Sequence, residues 1–120
     1  MPNRTGTDLI NEARQRITEV NARDAKAMRE RGDDVLFLDV REQNEWNLGR
    51  IPGAVHIPRG TLEGKVEAAI PRDRKVVAYC AGGNRSALAA DTMREMGYTS
   101  VSSLAGGWKE WVGAGGEVEG

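Results

Sequence analysis

Cys80 is the only cysteine of this 120-residue chain, and it ends an apolar run. The run Lys75-Val-Val-Ala-Tyr-Cys80 is followed by Ala-Gly-Gly-Asn-Arg-Ser86 and then by a helical pattern. A strand placed in this way delivers the thiol to the carboxyl edge of a sheet. The turn can then curl the backbone N–H groups of residues 81–86 around the sulfur, which favours a thiolate and holds anions beside it. The alternative is an inert core thiol, but such a thiol needs no glycine pair, arginine and serine after it, so the sequence predicts a reactive nucleophile.

A carboxylate stands at the end of a second apolar run. Asp39 follows Val35-Leu-Phe-Leu38 in the way that Cys80 follows its own run. Continuous apolar runs are typical of parallel strands that are buried on both faces of a sheet. The carboxyl ends of parallel strands share one edge, and ligands bind outside that edge. We therefore expect Asp39 and Cys80 to face one crevice.

Helical and strand patterns alternate along the rest of the chain. A helix near the N-terminus is predicted from four apolar residues at helical spacing, Leu9, Ala13, Ile17 and Val20. Asn21 is a suitable N-cap for a second helix that ends at Gly32. Further helices are predicted over 42–48, 61–69, 87–96 and 108–112, with Ser86 as the N-cap of the third. Strands are predicted over 35–39, 54–57, 75–79 and 100–104.

This alternation indicates an α/β domain with a parallel sheet that is covered by helices on both faces. A chain of 120 residues is one domain and can bury a core without disulfides or metals. The Gly-rich segment 113–120 is predicted to be a flexible tail. Gly106 and Gly107 are interpreted as a tight turn that lets a tryptophan pack closely.

Composition excludes several function classes. The formal net charge is -1, which does not favour binding to nucleic acid or to an anionic membrane. A single cysteine cannot form an internal disulfide. One cysteine and one histidine, His56, are too few ligands for a zinc site. His56 is interpreted as structural. The first residues lack the apolar stretch of a signal peptide, and no run reaches membrane-spanning length. We expect a cytoplasmic protein whose thiol is kept reduced.

Three ordered segments resemble the signatures of one family, the rhodanese family of sulfurtransferases. They are Leu38-Asp-Val-Arg-Glu-Gln-Asn-Glu-Trp46 with Gly49-Arg-Ile-Pro-Gly-Ala-Val-His-Ile-Pro58, then Tyr79-Cys-Ala-Gly-Gly-Asn-Arg-Ser86, and last Leu104-Ala-Gly-Gly-Trp-Lys-Glu-Trp111. The resemblance implies a rhodanese-like fold, with a central five-stranded parallel sheet and helices on both faces. It assigns residues 20–112 to that domain and leaves residues 1–19 as a packing helix.

The resemblance also implies a chemistry. Cys80 takes a sulfane sulfur from a donor, carries it as a persulfide and gives it to cyanide in vitro or to cellular thiols, in a ping-pong reaction. The loop that holds the sulfur consists of Ala81, Gly82, Gly83, Asn84, Arg85 and Ser86, and its N–H groups stabilise the terminal sulfur. No metal or organic cofactor is implied.

The donor is left open between two small molecules. A neutral loop at residues 81–83 is similar to that of relatives that prefer mercaptopyruvate. Thiosulfate is nevertheless the donor we expect, as in a thiosulfate sulfurtransferase, because four arginines can lie near the entrance: Arg41, Arg50, Arg59 and Arg85.

Several side chains have two interpretations each. The resemblance puts Asp39 and Arg41 in the cleft wall, with Arg41 near the entering anion, whereas a structural ion pair at a strand end is the alternative. Arg50 stands on the loop beside the cleft, where many relatives have histidine, and keeps a cationic donor there. Arg85 points into the pocket or braces the loop against a carboxylate. Ser86 is expected to cap the following helix rather than to contact the reacting sulfur.

Three other functions are weighed against sulfur transfer. A Cys…Arg loop at a helix N-terminus also occurs in cysteine-dependent phosphatases and arsenate reductases, but four residues separate Cys80 from Arg85, and the phosphatase pattern has five. A non-enzymatic module that binds a protein partner is a second alternative. The third is a persulfide carrier whose acceptor is a protein thiol. The oligomeric state, monomer or dimer, is left open.

Overall fold

The computed structural model describes residues 3–120 and contains a five-stranded sheet in which every pairing is parallel. The strands are β1 (Thr18–Val20), β2 (Leu36–Asp39), β3 (Val55–His56), β4 (Val76–Tyr79) and β5 (Val101–Leu104), in the spatial order β1-β5-β4-β2-β3. The helices are α1 (Gly6–Arg16), α2 (Ala22–Glu30), α3 (Gln43–Asn47), α4 (Leu62–Ala69), α5 (Asn84–Glu95) and α6 (Gly107–Gly113), with a 3₁₀ turn over Arg59–Thr61. The predicted α/β architecture is confirmed.

Two apolar clusters cover the two faces of the sheet. Residues of α4 and α5 pack on one face and residues of α2 and α6 on the other. Strand β4 contributes side chains to both clusters, since successive side chains of a strand point to opposite faces of the sheet. Val77 and Tyr79 belong to the second cluster, whereas Ala78 and the following Cys80 belong to the first. The Cys80 side chain is therefore packed within the first cluster, at the end of β4.

The N-terminal segment contacts the rest of the domain through a helix, α1, and a strand, β1. α1 packs against α5, where the Arg16 guanidinium donates to both carboxylate oxygens of Asp91 at 3.0 and 2.7 Å. Val20, predicted within the helix, instead pairs with Leu104 in strand β1. The helix ends because Ile17 adopts an extended conformation, with φ -112° and ψ 170°. Met1 and Pro2, which the predicted extension includes, lie outside the described residues.

The predicted tail, residues 113–120, lies against the domain. Arg50 and Glu119 exchange two backbone hydrogen bonds of 2.9 Å and form an ion pair of 3.3 Å. The Trp111 indole N–H donates to the carbonyl of Glu117 at 2.9 Å. The tail thus holds the start of the segment that leads from α3 to β3.

Other local predictions are confirmed within a residue or two. The Asn21 side chain accepts from the N–H of Asp24 at 2.8 Å and caps α2, and Gly32 follows that helix with φ +74°. Thr61, the first residue of the helix predicted over 61–69, is the N-cap residue of α4, but its hydroxyl donates to the Pro58 carbonyl at 3.1 Å instead of accepting from a helix N–H. Within residues 3–120, no helix is both long and apolar enough to cross a membrane.

Candidate functional site

The sulfur of Cys80 sits in a cradle of backbone N–H groups. Cys80 is 1% exposed, and its Sγ accepts hydrogen bonds from the N–H of Gly83 at 3.1 Å and of Ser86 at 3.4 Å. Gly83 has φ +105° and is the N-cap of α5, so the chain turns into the helix directly beside the sulfur. A positive φ of this kind is accessible to glycine at little cost. The positive end of α5 therefore faces the thiol, as the sequence predicts.

Ser86 does not cap α5, and that prediction is wrong. The helix begins at Asn84, which puts Ser86 in its first turn. Its hydroxyl donates to the Gly83 carbonyl at 3.2 Å, lies 2.8 Å from the Ser103 hydroxyl and lies 3.5 Å from Cys80 Sγ. Both serines are fully buried. The Ser86 hydroxyl of α5 is thus the polar side-chain contact to the sulfur, and the Ser103 hydroxyl of β5 contacts Ser86 from behind.

The N-terminus of α6 holds the other side of the loop. The N–H groups of Trp108 and Lys109 donate to the carbonyls of Cys80 and Ala81 at 2.7 and 3.3 Å. Gly107 makes this approach possible, since a Cβ on it would lie 2.7 Å from the Ala81 oxygen and closer still to that of Cys80. The Gly106-Gly107 pair therefore does more than form the predicted tight turn. Because Gly107 has no Cβ, the backbone N–H groups at the start of α6 can donate to the backbone carbonyls of the loop.

Arg85 braces the loop against a carboxylate, which is the second of its two predicted roles. Its guanidinium donates to Oε1 and Oε2 of Glu45 at 2.8 and 3.1 Å. These hydrogen bonds lower the pKa of Glu45 to about 2. The pair ties α3 to the first turn of α5 across the site.

Asp39 and Arg41 form a buried ion pair. The Arg41 guanidinium donates to both Asp39 oxygens, at 3.0 and 2.7 Å, and to the carbonyl of Gly49 at 2.6 Å. It also stacks over the Trp108 ring at 4.7 Å. Arg41 is 3% exposed and Asp39 fully buried. This is the geometry of the structural ion pair, and it fixes the loop that carries α3.

Arg50, Trp46 and His56 stack beside that loop. The Arg50 guanidinium lies 4.7 Å from the Trp46 ring, and the His56 ring stacks on Trp46 at 4.8 Å with an interplanar angle of 13°. His56 Nε2 lies 2.8 Å from the Arg41 carbonyl, in keeping with the structural role predicted for it. Each of the four arginines expected near the entrance has a carboxylate partner: Arg41 with Asp39, Arg50 with Glu119, Arg59 with Glu63 and Arg85 with Glu45.

The remaining loop residues form an exposed rim. Ala81, Gly82 and Asn84 are exposed, and a Cβ on Gly82 would meet nothing within 4 Å. The Asn84 side chain accepts from Arg14 of α1 at 2.8 Å. The site as a whole offers a buried nucleophile, N–H donors for negative charge on sulfur, and an exposed rim of uncharged loop residues.

The active-site loop was predictable from the sequence, but the residues that support it were not. Ser103 and Gly107 come from β5 and α6, and no local pattern at those positions points to Cys80. Glu45 stands in a short polar segment where a carboxylate is ordinary. Their contacts with the loop depend on which elements the sheet order brings together.

Known proteins similar to this chain share both sequence and fold. The family model described as rhodanese-like domain matches residues 21–114. A sulfurtransferase of Allochromatium vinosum is 35% identical over 96 residues, which is 78% of this chain and 89% of the relative. YrkF of Bacillus subtilis, named as a proposed sulfur carrier protein, is 32% identical over 110 residues, 92% of this chain. The chain spans 59% of YrkF and 60% of YqhL, another relative in that organism.

Two solved structures are also similar. RPA3614 of Rhodopseudomonas palustris, named as a protein of unknown function and possible tyrosine phosphatase, is 37% identical with a TM-score of 0.89, over 99% of both chains. The rhodanese-like domain of the Anabaena protein Alr3790 is 31% identical with a TM-score of 0.81, over 85% of this chain and 78% of the other.

Proposed function

This chain belongs to the rhodanese-like domain family, and on that premise we propose that it transfers sulfane sulfur through a persulfide on Cys80. The observation that carries the proposal is the Cys80 sulfur itself, which accepts hydrogen bonds from two loop N–H groups, those of Gly83 and Ser86. Relatives named as a sulfurtransferase and as a proposed sulfur carrier support the same class.

The first half-reaction loads the cysteine. The Cys80 thiolate attacks the sulfane sulfur of thiosulfate, the S–S bond of the donor breaks, and sulfite leaves with the bonding electrons. The product is a Cys80 persulfide whose terminal sulfur is negatively charged. The N–H groups of the loop are already aimed at this region, so they stabilise the charge without reorganisation.

The second half-reaction returns the enzyme to its starting state. Cyanide or a thiolate attacks the terminal sulfur, the S–S bond of the persulfide breaks, and the Cys80 thiolate is released. The products are thiocyanate or a new persulfide on the acceptor. The first product leaves before the acceptor binds, so the reaction is ping-pong.

Steady-state kinetics test this order of events. With thiosulfate and cyanide varied together, reciprocal plots of rate are expected to give parallel lines. Lines that converge would contradict a free persulfide intermediate, because they require both substrates on the protein at once.

A protein thiol is the second acceptor we propose, since YrkF is named as a proposed sulfur carrier. In that case the same Cys80 persulfide passes its sulfur to a partner cysteine and turns over slowly on cyanide. Loading the protein with ³⁵S-labelled sulfur and mixing it with candidate acceptor proteins tests the transfer. Label that moves to a small thiol but to none of the proteins speaks against this carrier role.

Phosphate ester hydrolysis is not the function we propose, although RPA3614 is named as a possible tyrosine phosphatase. Four residues separate Cys80 from Arg85, and the Arg85 guanidinium is bound to Glu45 rather than free for a phosphate. We expect no hydrolysis of p-nitrophenyl phosphate above the rate of the Cys80→Ser variant. A Cys80-dependent rate would reverse this conclusion.

A further inference from the structure

The cation nearest to the nucleophile in sequence is already matched by an anion. Arg85 is the second residue of α5, the helix whose start donates N–H groups to the Cys80 sulfur. Two hydrogen bonds join its guanidinium to the Glu45 carboxylate, and both side chains are about one-third exposed, at 34% and 28%. An anion that approaches the sulfur therefore meets an ion pair rather than a free positive charge.

Glu45 is held in this position by its own helix. Its Oε1 accepts the N–H of Glu42 at 2.9 Å, which closes the capping box of α3. The loop beyond α3 is fixed in turn, because Arg41 donates to the carbonyl of Gly49 at 2.6 Å. The Glu45 carboxylate is thus held between two partners, the Glu42 N–H and the Arg85 guanidinium.

The other arginines of this region do not make up the missing charge. Arg41 is bound to the buried Asp39 and Arg50 to Glu119. Arg14, which donates to Asn84 of the loop, is paired with Glu19 at 3.6 Å. The positive potential at the sulfur then comes from the loop N–H groups and the α5 terminus, which together act as about half an elementary charge. That balance suits a donor with one negative charge better than a dianion.

We propose that Glu45 determines donor specificity: by neutralising Arg85 it makes the site favour monoanionic sulfane sulfur donors, such as organic thiosulfonates, over the thiosulfate dianion. This inference rests on the proposed sulfur transfer. The chemistry at Cys80 is unchanged, since the thiolate takes the terminal sulfur of either donor. Sulfite leaves with the bonding electrons in one case and an organic sulfinate in the other.

Thiosulfate and methanethiosulfonate are a matched donor pair for the test, because they deliver the same atom and differ by one charge. In Glu45→Gln the amide oxygen still accepts from Glu42, while Arg85 becomes a net cation. We expect the ratio of kcat/KM for thiosulfate to that for methanethiosulfonate to rise by about two- to fivefold, the range for one partly exposed charge, and the rise to shrink in high salt. Glu67→Gln, which removes the partner of Arg72, changes the net charge equally, and since Arg72 precedes β4 whereas Cys80 follows it, it should leave the ratio unchanged.

A second arm of the test does not depend on sulfur transfer. Iodoacetate and iodoacetamide alkylate the same thiol and differ in charge, and intact mass follows both rates. Glu45→Gln should raise the ratio of the iodoacetate rate to the iodoacetamide rate, and Glu67→Gln should not.

The two arms separate the possible failures. If both donors load wild-type Cys80 but Glu45→Gln changes neither ratio, the role of Glu45 is overturned and sulfur transfer stands. If neither of these donors nor mercaptopyruvate loads Cys80, the proposed function fails and the donor specificity with it. A change that falls equally on both donors assigns Glu45 to loop structure and also overturns the proposal.

Discussion

At Cys80, the polar contacts to the sulfur come from two backbone N–H groups and one hydroxyl. Gly83 and Ser86 were predictable as neighbours of the thiol because they follow it in one motif. Ser103 was not, because it reaches the site from β5, whose sequence Val-Ser-Ser-Leu is that of an ordinary strand. Only the pairing of β4 with β5 brings its hydroxyl to Ser86.

We expect Ser103→Ala to lower the free energy of unfolding by about 1 kcal/mol, because it removes one buried hydrogen bond. It should also slow the loading of Cys80, since the Ser86 hydroxyl loses the partner that orients it beside the sulfur. Urea unfolding and the rate of mass gain measure the two effects. Ser102→Ala, at the half-buried neighbouring position, is the control, and equal effects in both variants would contradict the role of Ser103.

At the scale of elements, the long buried strands and the glycine-bounded helices were predictable, and two boundaries were not. β1 has three residues and no apolar alternation, so the helical spacing that ends at Val20 obscured it. α5 begins at Asn84 rather than at 87 because the left-handed Gly83 starts the helix at once. The residues Asn-Arg-Ser that fill its first turn carry no apolar signal.

Gly107→Ala tests the support that α6 gives to the loop. The new Cβ would overlap the Cys80 carbonyl, and φ is +57° at this position. We expect a loss of more than about 2 kcal/mol in the free energy of unfolding, from overpacking and an unfavourable backbone, together with slower sulfur loading. Gly64→Ala, at an open position inside α4, should instead stabilise the protein by about 0.5–1 kcal/mol. Similar effects in both variants would contradict the close approach at Gly107.

The ion pair between α3 and α5 predicts a pH dependence. The pKa of Glu45 is about 2 in the folded protein, against an ordinary value of 4.5. The unfolded chain therefore binds more protons between these values, and the stabilisation from Glu45 is complete above about pH 4.5 and lost as the pH falls toward 2. Urea unfolding across this range should show a steeper loss of stability in the wild type than in Glu45→Gln. Identical slopes would contradict a depressed pKa at Glu45.

At the scale of the whole molecule, three signatures in order were enough to predict the fold. They resemble the signatures of the rhodanese family, and that resemblance implies the five-stranded fold; in the structure the three segments lie around one edge of the sheet. The position of the last residues was harder to predict from the sequence. A Gly-rich sequence is typical of a flexible tail, and the residues that it contacts, Arg50 and Trp111, lie in other segments of the chain.

Removing residues 117–120 should destabilise the domain by about 1–3 kcal/mol, because the hydrogen bonds to Arg50 and Trp111 are lost together. Thermal unfolding and tryptophan fluorescence measure the change. Glu119→Gln keeps the backbone pairing and removes only the exposed ion pair, so its effect should stay below about 1 kcal/mol. A truncated protein as stable as the full chain would show that the tail contributes nothing.

The most direct test of a Cys80 persulfide is the intact mass of the protein, measured after thiosulfate or methanethiosulfonate and again after cyanide. The wild type is predicted to gain the mass of one sulfur atom and to lose it to cyanide as thiocyanate. Cys80→Ser is predicted to stay folded and to gain nothing. No gain in the wild type from these two donors or from mercaptopyruvate, or an equal gain in the variant, would contradict sulfur transfer through Cys80.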